Sequence, residues 1–381
     1  MQTKDPDQKA GGASTEGKKS LSLFQLRLRR FRRLKRGYYS FLLLLGLYIL
    51  SFFLPFLMNN RALVVRYNGT YYFPALASYL HETFGYYERL GFFKDTVLSP
   101  QTFGIDSVLA RTDYRKLQTD FAARGGDDFV LMPPIPYHPN EQFLDLGENP
   151  PNAPSRLHLM GTDDRGRDVF VRLAYGFRIS MTFALIVTVI SYLIGTLVGA
   201  CLGYFGGWLD LIGLRLVEIW GAIPFLYTVI ILCSLLEPSF LLLTLILSAF
   251  GWLGICYYIR GEFYREKSRD YVGAAIATGE RDTTIIARYI LPNALTPIIA
   301  FAPFAIVANI LALVGLDFLG FGLPAPTPSW GELIGQGKAN IREWHLVVFP
   351  LLVMFFTLQL VVFIGEAVRE AFDPKVFSRL R

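Results

Sequence analysis

Cysteine and histidine are scarce in this sequence, with three and four residues among 381. Cys201, Cys233 and Cys256 each fall in a different apolar run, where a thiol acts as a small hydrophobic side chain. Their spacing fits neither a zinc site nor a set of disulfide bonds. The histidines are scattered and form no H-E-x-x-H pattern. We therefore expect no metal site in this chain.

The sequence also lacks the motifs that bind phosphate or activate a nucleophile. Its nearest approach to a phosphate-binding loop is GTDDRGRD at 161–168, where Arg167 and Asp168 replace the required Lys and Ser or Thr. No G-x-S-x-G elbow is present. Ionisable residues inside the apolar runs are too few for an obvious proton relay. We expect a chain that is not an enzyme and binds no cofactor itself.

Charged residues make up only 18% of the chain and are absent from several long stretches. Because about 20 apolar residues of helix cross a bilayer core, these stretches predict transmembrane helices. A buried helix of a soluble protein is a poor alternative, because it would contain polar interruptions over this length. The predicted fold class is an all-α polytopic membrane protein with six spans, at 37–58, 179–209, 219–236, 238–259, 289–316 and 346–365.

Seven basic residues stand directly before the first predicted span, between Arg27 and Arg36. A cluster in this position places the N-terminus in the cytoplasm and favours contact with anionic lipid. A nucleic-acid-binding arm is the alternative, and the adjoining apolar run argues against it. Basic residues recur at 260–288 and after residue 371, which the same rule places on the same side.

The predicted spans divide the chain into five parts. Residues 1–36 form a basic cytoplasmic tail, whose first 20 residues have the composition of a disordered segment. Residues 37–58 are the first transmembrane helix, and 59–175 form a loop on the opposite side of the membrane. This loop is rich in proline and aromatic residues, which predicts a small ordered element joined by irregular linkers. Residues 176–370 contain five helices and the inner loop at 260–288, and 371–381 are a cytoplasmic tail.

The segment at 270–293, DYVGAAIATGERDTTIIARYILPN, is too patterned for a simple connection. Asp270 and Asp282 are placed to cap two helices, with Gly279 as the break between them. Ala274 and Ala275 are small enough to let another surface approach closely. A helix, a break and a second helix suit docking into a groove of a cytoplasmic partner. The alternative is an amphipathic connector on the lipid surface.

These residues resemble the EAA motif of ABC importer permeases. The resemblance extends in order through GTDDRGRDVFVRLAYGFRIS (161–180), GYFGGWLD (203–210), YVGAAIATG, ILPN, LDFLGFGLPAPTPSWGEL (316–333) and GEAVREAFDP (365–374). Together they resemble the C-type subunit of dipeptide and oligopeptide importers. VVRYNGTYYFPAL and LDFLGFGLP are similar to the Yej branch, which is associated with peptides, microcin C and muropeptides.

The resemblance implies a type I ABC importer permease fold in the bacterial inner membrane, with the 59–175 insertion in the periplasm. It implies four kinds of partner besides membrane lipid: a homologous B-type permease, two ABC ATPase subunits or one fused ATPase, a periplasmic peptide-binding protein and the peptide. ATP and magnesium would be bound by the ATPase subunits. No nucleic acid is expected as a partner.

The motifs also imply two contact surfaces. The ATPase-coupling residues are Asp270, Tyr271, Gly273, Ala274, Ala275, Gly279, Asp282, Leu291 and Pro292. The residues facing the binding protein are Gly161, Thr162, Asp163, Asp164, Gly166, Arg167, Asp168, Pro328, Ser329, Trp330 and Gly331. For the first of these stretches a helix cap and turn built on Asp163 and Asp164 is an equal alternative.

The chain departs from the family at Gly273, where a glutamate is usual, at Ile276, where an arginine is frequent, and at Tyr289, which replaces an isoleucine. The contact with the ATPase is therefore expected to be more steric than ionic.

Five residues of the predicted spans are candidates for helix packing or gating. Gly195, Gly199 and Gly203 recur every four residues, which suits close packing within the chain better than a pore lining. Glu218 stands one turn from Arg215 and is interpreted as half of an ion pair near the membrane surface. Pro224 is expected to bend the third span.

The resulting hypothesis is the inner-membrane permease subunit of an ABC peptide importer. The same fold carrying nickel or another small solute is the first alternative. A membrane-anchored sensor or assembly protein, which binds its ligand through the long loop, is the second. A secondary transporter is disfavoured by the lack of charges within the spans.

Overall fold

The computed structural model describes residues 23–84, 103, 112–146 and 149–372. The tail predicted at 1–20 and all but the first two residues of the tail predicted at 371–381 lie outside these residues. The helices are α1 (Leu23–Arg33), α2 (Lys35–Ser51), α3 (Leu54–Leu57), α4 (Pro74–Phe84), α5 (Tyr114–Arg124), α6 (Val169–Phe205), α7 (Gly207–Gly221), α8 (Phe225–Leu235), α9 (Phe240–Lys267), α10 (Asp270–Ala277), α11 (Asp282–Thr284), α12 (Leu291–Leu319), α13 (Trp330–Ala339) and α14 (His345–Phe372). A π-helical turn, Ile285–Ile290, joins α11 to α12.

Four of the described helices, α6, α9, α12 and α14, are long and apolar enough to cross a membrane. The pair α7 and α8 makes a fifth candidate if it counts as one span, although it is bent by 67°. α2 has 17 residues, the lower end of the length that a span requires. The prediction of a helical, multi-pass membrane protein is confirmed, whereas the count of six spans stays a prediction.

The helices run alternately between two ends of the bundle. The sheet end carries residues 52–84, 103, 112–146, 149–168 and 320–344, and the short-helix end carries α10 together with the start of α2 and the end of α14. α6 packs parallel to α9, since residues farther along α6 contact residues farther along α9, whereas α12 and α14 are antiparallel neighbours. Each connection between helices lies at one of the two ends.

The insertion between α2 and α6 contains a small sheet of three antiparallel strands in the order β2-β1-β3, with β1 at Val64–Tyr67, β2 at Thr70–Tyr72 and β3 at Phe129–Leu131. One face of the sheet packs with α5 around Val65, Leu117, Phe121 and Val130. These apolar residues form a core separate from that of the bundle. The ordered element predicted in this loop is thus a sheet with a helix.

The longest interhelical contact joins α6 and α9 through a stripe of glycines. A Cβ added at Gly199 would lie 2.5 Å from the carbonyl oxygen of Cys256, and one at Gly203 would lie 2.6 Å from the Cβ of Phe263. A Cβ added at Gly195 would lie 2.6 Å from the carbonyl oxygen of Trp252. The three glycines therefore allow backbone-to-backbone packing within the chain.

Three of the differences between helix boundaries and apolar runs have a clear local cause. α6 begins at Val169 rather than Ile179, because its polar first turns are buried by protein and need no lipid. The third predicted span is broken at 222–224, where Pro224 precedes α8 and supplies no backbone N–H. The first predicted span ends as a helix at Ser51, and Leu54–Leu57 form a separate turn.

Candidate functional site

The short-helix segment, Asp270–Asn293, forms the two helices expected of it, but they begin differently. Arg269 and Arg281 occupy the N-cap positions with extended backbone, and neither provides a side-chain cap. Asp270 and Asp282 are instead the first helical residues, so the prediction that they cap these helices is wrong. Both carboxylates still stand in a first turn, where negative charge stabilises the helix dipole.

Gly279 ends α10 in the left-handed region, with φ of 77°. Its N–H donates to the carbonyl of Ile276 at 3.0 Å, and that of Glu280 donates to the carbonyl of Ala275 at 3.2 Å. Glycine adopts this conformation without steric cost, which explains the break. Farther on, Pro292 follows Leu291 at the start of α12. Because proline cannot donate to the carbonyl four residues before it, the helix widens into the π turn there.

The two alanines of the segment face in opposite directions. Ala275 is 6% exposed and packs with Val272, Ile285 and Ile290 inside the chain. Ala274 is exposed, as is the neighbouring Gly273. The expectation that Ala275 lies on the docking surface is therefore wrong, because the helix starts at Asp270 and its turn directs position 275 inward. The outward surface consists of Gly273, Ala274, Ala277 and the half-exposed Ile276.

Hydrogen bonds from tyrosines fix the segment to three long helices. The hydroxyl of Tyr271 donates to Glu266 of α9 at 2.7 Å and accepts from the amide of Asn293 of α12 at 3.2 Å. The pKa of Tyr271 is raised, mainly by partial burial of the side chain and secondly by its hydrogen bond to Glu266. The hydroxyl of Tyr204, at the end of α6, donates to Asp282 at 2.6 Å. Hydrogen bonds thus join α10 to α9 and α12, and join α11 to α6.

A second polar connection at this end joins α7 to α9. Arg260 binds Asp210 through two hydrogen bonds of 2.5 and 2.6 Å, and the hydroxyl of Tyr264 donates to the same carboxylate at 2.6 Å. Asp210 is the last residue of the GYFGGWLD motif, which therefore anchors the start of α7. Farther along α7, Arg215 and Glu218 form an exposed ion pair of 2.6 Å, the pairing that their spacing predicts.

At the sheet end, two stretches far apart in sequence meet in a charge cluster of Asp163, Arg167, Arg172 and Glu332. Arg167 bonds Asp163 at 2.7 Å and Glu332 at 3.0 Å. Arg172 contacts Asp163 at 3.5 Å and also pairs with Glu332. Both arginines and Asp163 are at most 2% exposed. Two positive and two negative charges thus compensate one another, which the three buried ions require, and Glu332 is partly exposed.

The 161–168 stretch is a tight, mostly buried turn around this cluster. Gly161 and Gly166 have φ of 77° and 74°, and a Cβ at Gly161 would lie 2.5 Å from the carbonyl oxygen of Asn152. The carbonyl of Thr162 contacts the ring of His345 at 3.0 Å. Asp168, rather than Asp163 or Asp164, caps α6 by accepting from the N–H of Val171 at 2.9 Å.

The second stretch is also turned inward. Pro328, Ser329, Trp330 and Gly331 are all buried. Ser329 caps α13 and donates to Asp317 at 2.5 Å, and the Trp330 indole donates to the carbonyl of Leu173 at 3.1 Å. The side chains of these four residues therefore stabilise the fold and do not form a contact surface, contrary to expectation. In the first stretch, by contrast, Asp164 reaches the surface. The pKa of its carboxyl group is raised, mainly because the group is partly desolvated and secondly because the negative charge of Asp163 is close.

Sequence reasoning missed most of the residues that complete these networks, among them Arg172, Tyr204, Glu266 and Glu332. Arg172 and Glu332 lie in the quoted motifs, and a charge next to an apolar run is a signal for a buried partner. Tyr204 and Glu266 carry no comparable signal, because their partners are set by helix packing.

Comparison with known proteins agrees with the geometry. Residues 191–378 match the family described as binding-protein-dependent transport system inner membrane component. The chain is 39% identical to the inner membrane ABC transporter permease protein YejE of Escherichia coli (strain K12), covering 92% of this chain and 96% of that protein. It is 36% identical to the peptidoglycan transport system permease protein YejE of Agrobacterium fabrum, covering 92% of both.

A more distant relative is the oligopeptide transport system permease protein OppC of Haemophilus influenzae, 38% identical over 57% of this chain and 70% of that protein. The chain belongs to the family of ABC transporter permeases described as binding-protein-dependent transport system inner membrane components. It is a multi-pass inner-membrane subunit, and ATP is hydrolysed by separate ATPase subunits of such systems. A substrate-binding protein completes them.

Proposed function

We propose that this chain is the C-type permease subunit of an ATP-driven peptide importer. Relatives over most of its length carry names that refer to the transport of peptidoglycan, oligopeptides and dipeptides. The cargo proposed is an oligopeptide, with muropeptides and peptide-nucleotide antibiotics such as microcin C as members of the same chemical class. A homologous B-type permease forms the other half of the path, and a periplasmic binding protein delivers the peptide.

In this proposal the short-helix end lies in the cytoplasm and the sheet end in the periplasm, with the N-terminus cytoplasmic. The basic residues before α2 and those between Arg260 and Arg288 support this orientation, because such residues accumulate on the cytoplasmic side. The insertion at 59–175 is then periplasmic. Exposed parts of the sheet end, such as Asp164, receive the binding protein.

The exposed small-residue surface of α10 carries the proposal for coupling. Gly273, Ala274 and Ala277 allow close approach of a partner, and Ile276, which is 49% exposed, projects among them. This surface lies on a helix whose other face is packed and whose first turn is bonded to α9 and α12, and the following helix, α11, is bonded to α6. A helix held in this way transmits a push to the bundle, whereas a loose connector would absorb it. We assign this surface to docking in a groove of an ATPase subunit, which binds ATP and magnesium. There are two such subunits in the assembly, or one fused ATPase.

The test is Ala274→Glu in the full chain, expressed with its partner permease and ATPase subunits. A bulky carboxylate on the outward surface should block docking without disturbing the core. We expect normal abundance, a loss of co-purified ATPase of at least about tenfold, and loss of labelled tripeptide uptake. That loss corresponds to roughly 1.4 kcal/mol, within the usual cost of overpacking.

The matched control is Ala123→Glu, which introduces the same side chain at an exposed alanine of α5 at the sheet end. It should leave both ATPase capture and uptake unchanged. Normal ATPase capture by Ala274→Glu would refute the docking assignment. Normal capture with no uptake of any peptide by the unaltered complex would refute the cargo instead.

A further inference from the structure

Helix α1 has two chemically different faces. Leu26, Arg27, Arg30 and Phe31 are partly buried, whereas Arg29, Arg32 and Arg33 are exposed. Residues three and four apart share a face of a helix, so the two sets lie on opposite sides of α1. The helix is interrupted at Leu34, where φ is −80° and ψ is 80°, and it is therefore not a simple extension of α2.

The inward face of α1 is attached to the end of α14. The guanidinium of Arg27 lies 5.1 Å from the centre of the Phe372 ring, and that of Arg30 lies 3.9 Å from the carboxylate of Glu370. The two inward arginines therefore contact residues of α14. The three outward arginines then project away from the bundle.

The position of α1 relative to the membrane follows from two independent helices. α2 carries no charge after Arg36, and α14 carries none between residues 346 and 365. Gly37 packs directly against the charged end of α14, since a Cβ added there would lie 2.8 Å from the carbonyl oxygen of Phe363. The apolar parts of both helices therefore end at the same level. α1 lies just outside that level, in the layer that lipid headgroups occupy.

We propose that the outward face of α1 is a binding site for the headgroups of anionic phospholipids. Arg29, Arg32 and Arg33 supply the cations, and the exposed Lys35 and Arg36 continue the site at the start of α2. Leu28, 42% exposed, lies among these arginines and reaches the upper part of the acyl chains. The lipid would thus bind the face of α1 opposite to its contacts with α14. The site does not depend on the cargo or on which leaflet it faces.

Photolabelling of the purified complex tests the site. The complex is placed in nanodiscs that contain a photoactivatable phosphatidylglycerol or a photoactivatable phosphatidylcholine, and labelled peptides are identified by mass spectrometry. Each basic residue near an anionic surface contributes about a fivefold preference. We expect α1 to be labelled by phosphatidylglycerol, and the preference over phosphatidylcholine to fall on the order of 100-fold in the triple variant Arg29→Gln, Arg32→Gln, Arg33→Gln.

Two variants control for charge. The triple Lys variant at the same positions should keep most of the preference. Lys116→Gln, Arg124→Gln and Arg342→Gln together remove three exposed charges at the sheet end and should leave labelling of α1 unchanged. A free phosphate ion as the ligand would show as competition by millimolar inorganic phosphate, which the lipid assignment predicts to be absent.

Salt provides a readout that needs no variant. Labelling of the unaltered α1 by phosphatidylglycerol should fall steeply between about 0.05 and 0.5 M salt, because added salt shortens the Debye length and screens the arginines from the anionic headgroups. Labelling by phosphatidylcholine should not change. Equal labelling of α1 by both lipids, or labelling by phosphatidylglycerol that is independent of salt, would overturn the proposal.

Discussion

The hydroxyl of Tyr204 lies 2.6 Å from the carboxylate of Asp282 and donates a hydrogen bond to it. These two residues belong to the end of α6 and the start of α11, and they are separated by the whole of α7, α8, α9 and α10. The bond therefore connects the longest helix of the bundle to the segment assigned to ATPase docking.

Removing this hydroxyl tests whether the connection matters for transport. Tyr204→Phe keeps the ring, which packs in the core around Ala275, and deletes one hydrogen bond to a charged group. We expect a stability loss of about 1–2 kcal/mol, with ATPase capture retained. Peptide uptake per ATP hydrolysed should fall several-fold. The comparison is Tyr257→Phe at an exposed tyrosine of α9, which should leave this ratio unchanged.

The charge cluster at the sheet end predicts that replacing a buried arginine costs far more stability than replacing an exposed one. Arg172→Met leaves Asp163 and Glu332 with one cation fewer in a buried site, and should cost about 3–5 kcal/mol. Arg165→Met removes a half-exposed arginine of the same stretch and should cost less than about 1 kcal/mol. The melting temperatures of the two purified variants in detergent measure this difference. Similar values would mean that the cluster is not held away from water.

The close packing of α6 against α9 predicts that a glycine-to-alanine substitution changes stability differently inside and outside the interface. Gly199→Ala places a Cβ 2.5 Å from the Cys256 carbonyl oxygen and should destabilise the protein by about 1–3 kcal/mol. A Cβ at Gly254 of α9 meets no atom within 4 Å, so Gly254→Ala should be neutral or gain up to about 1 kcal/mol from helix propensity. Thermal unfolding of both variants, each beside the unaltered chain, measures the sign. Destabilisation by Gly254→Ala would contradict this account of the interface.

Cysteine labelling distinguishes the exposed part of the sheet end from the buried part. In a background without native cysteines, Asp164→Cys should react with an impermeant thiol reagent added outside intact cells from which the outer membrane has been removed. Ser329→Cys, at a position 3% exposed, should react slowly or only after denaturation. Labelling of Asp164→Cys only after permeabilisation of the inner membrane would reverse the proposed orientation.

Much of the bundle could be predicted from the sequence, because runs without charge define helices in lipid. α12 coincides closely with such a run, and α9 and α14 begin with one but continue past it into charged residues. The first turns of α6 could not be recognised, since Arg172 and Arg178 suggest an aqueous segment and the burial of Arg172 depends on residues distant in sequence. Pro224 predicts a bend before α8, but the size of that bend, 67°, depends on packing.

The candidate site shows the same division. Gly279 as a helix break could be predicted from its conformational freedom alone. The inward direction of Ala275 could not, because it depends on the residue at which α10 begins, and a shift of one residue rotates the helix by about 100°. The pairing of Arg167 with Glu332 spans 165 residues and follows only from the folded bundle.

The contact of α10 with an ATPase subunit is the central claim, and site-specific photo-crosslinking tests it most directly. A photoreactive phenylalanine analogue at Ala277, which is exposed, and another at Ala123 of α5 are compared in the assembled transporter. The account predicts that Ala277 yields a covalent adduct with an ATPase subunit, and that Ala123 yields none. Crosslinking of Ala277 to lipid, with no adduct to an ATPase subunit in an actively transporting complex, would contradict it.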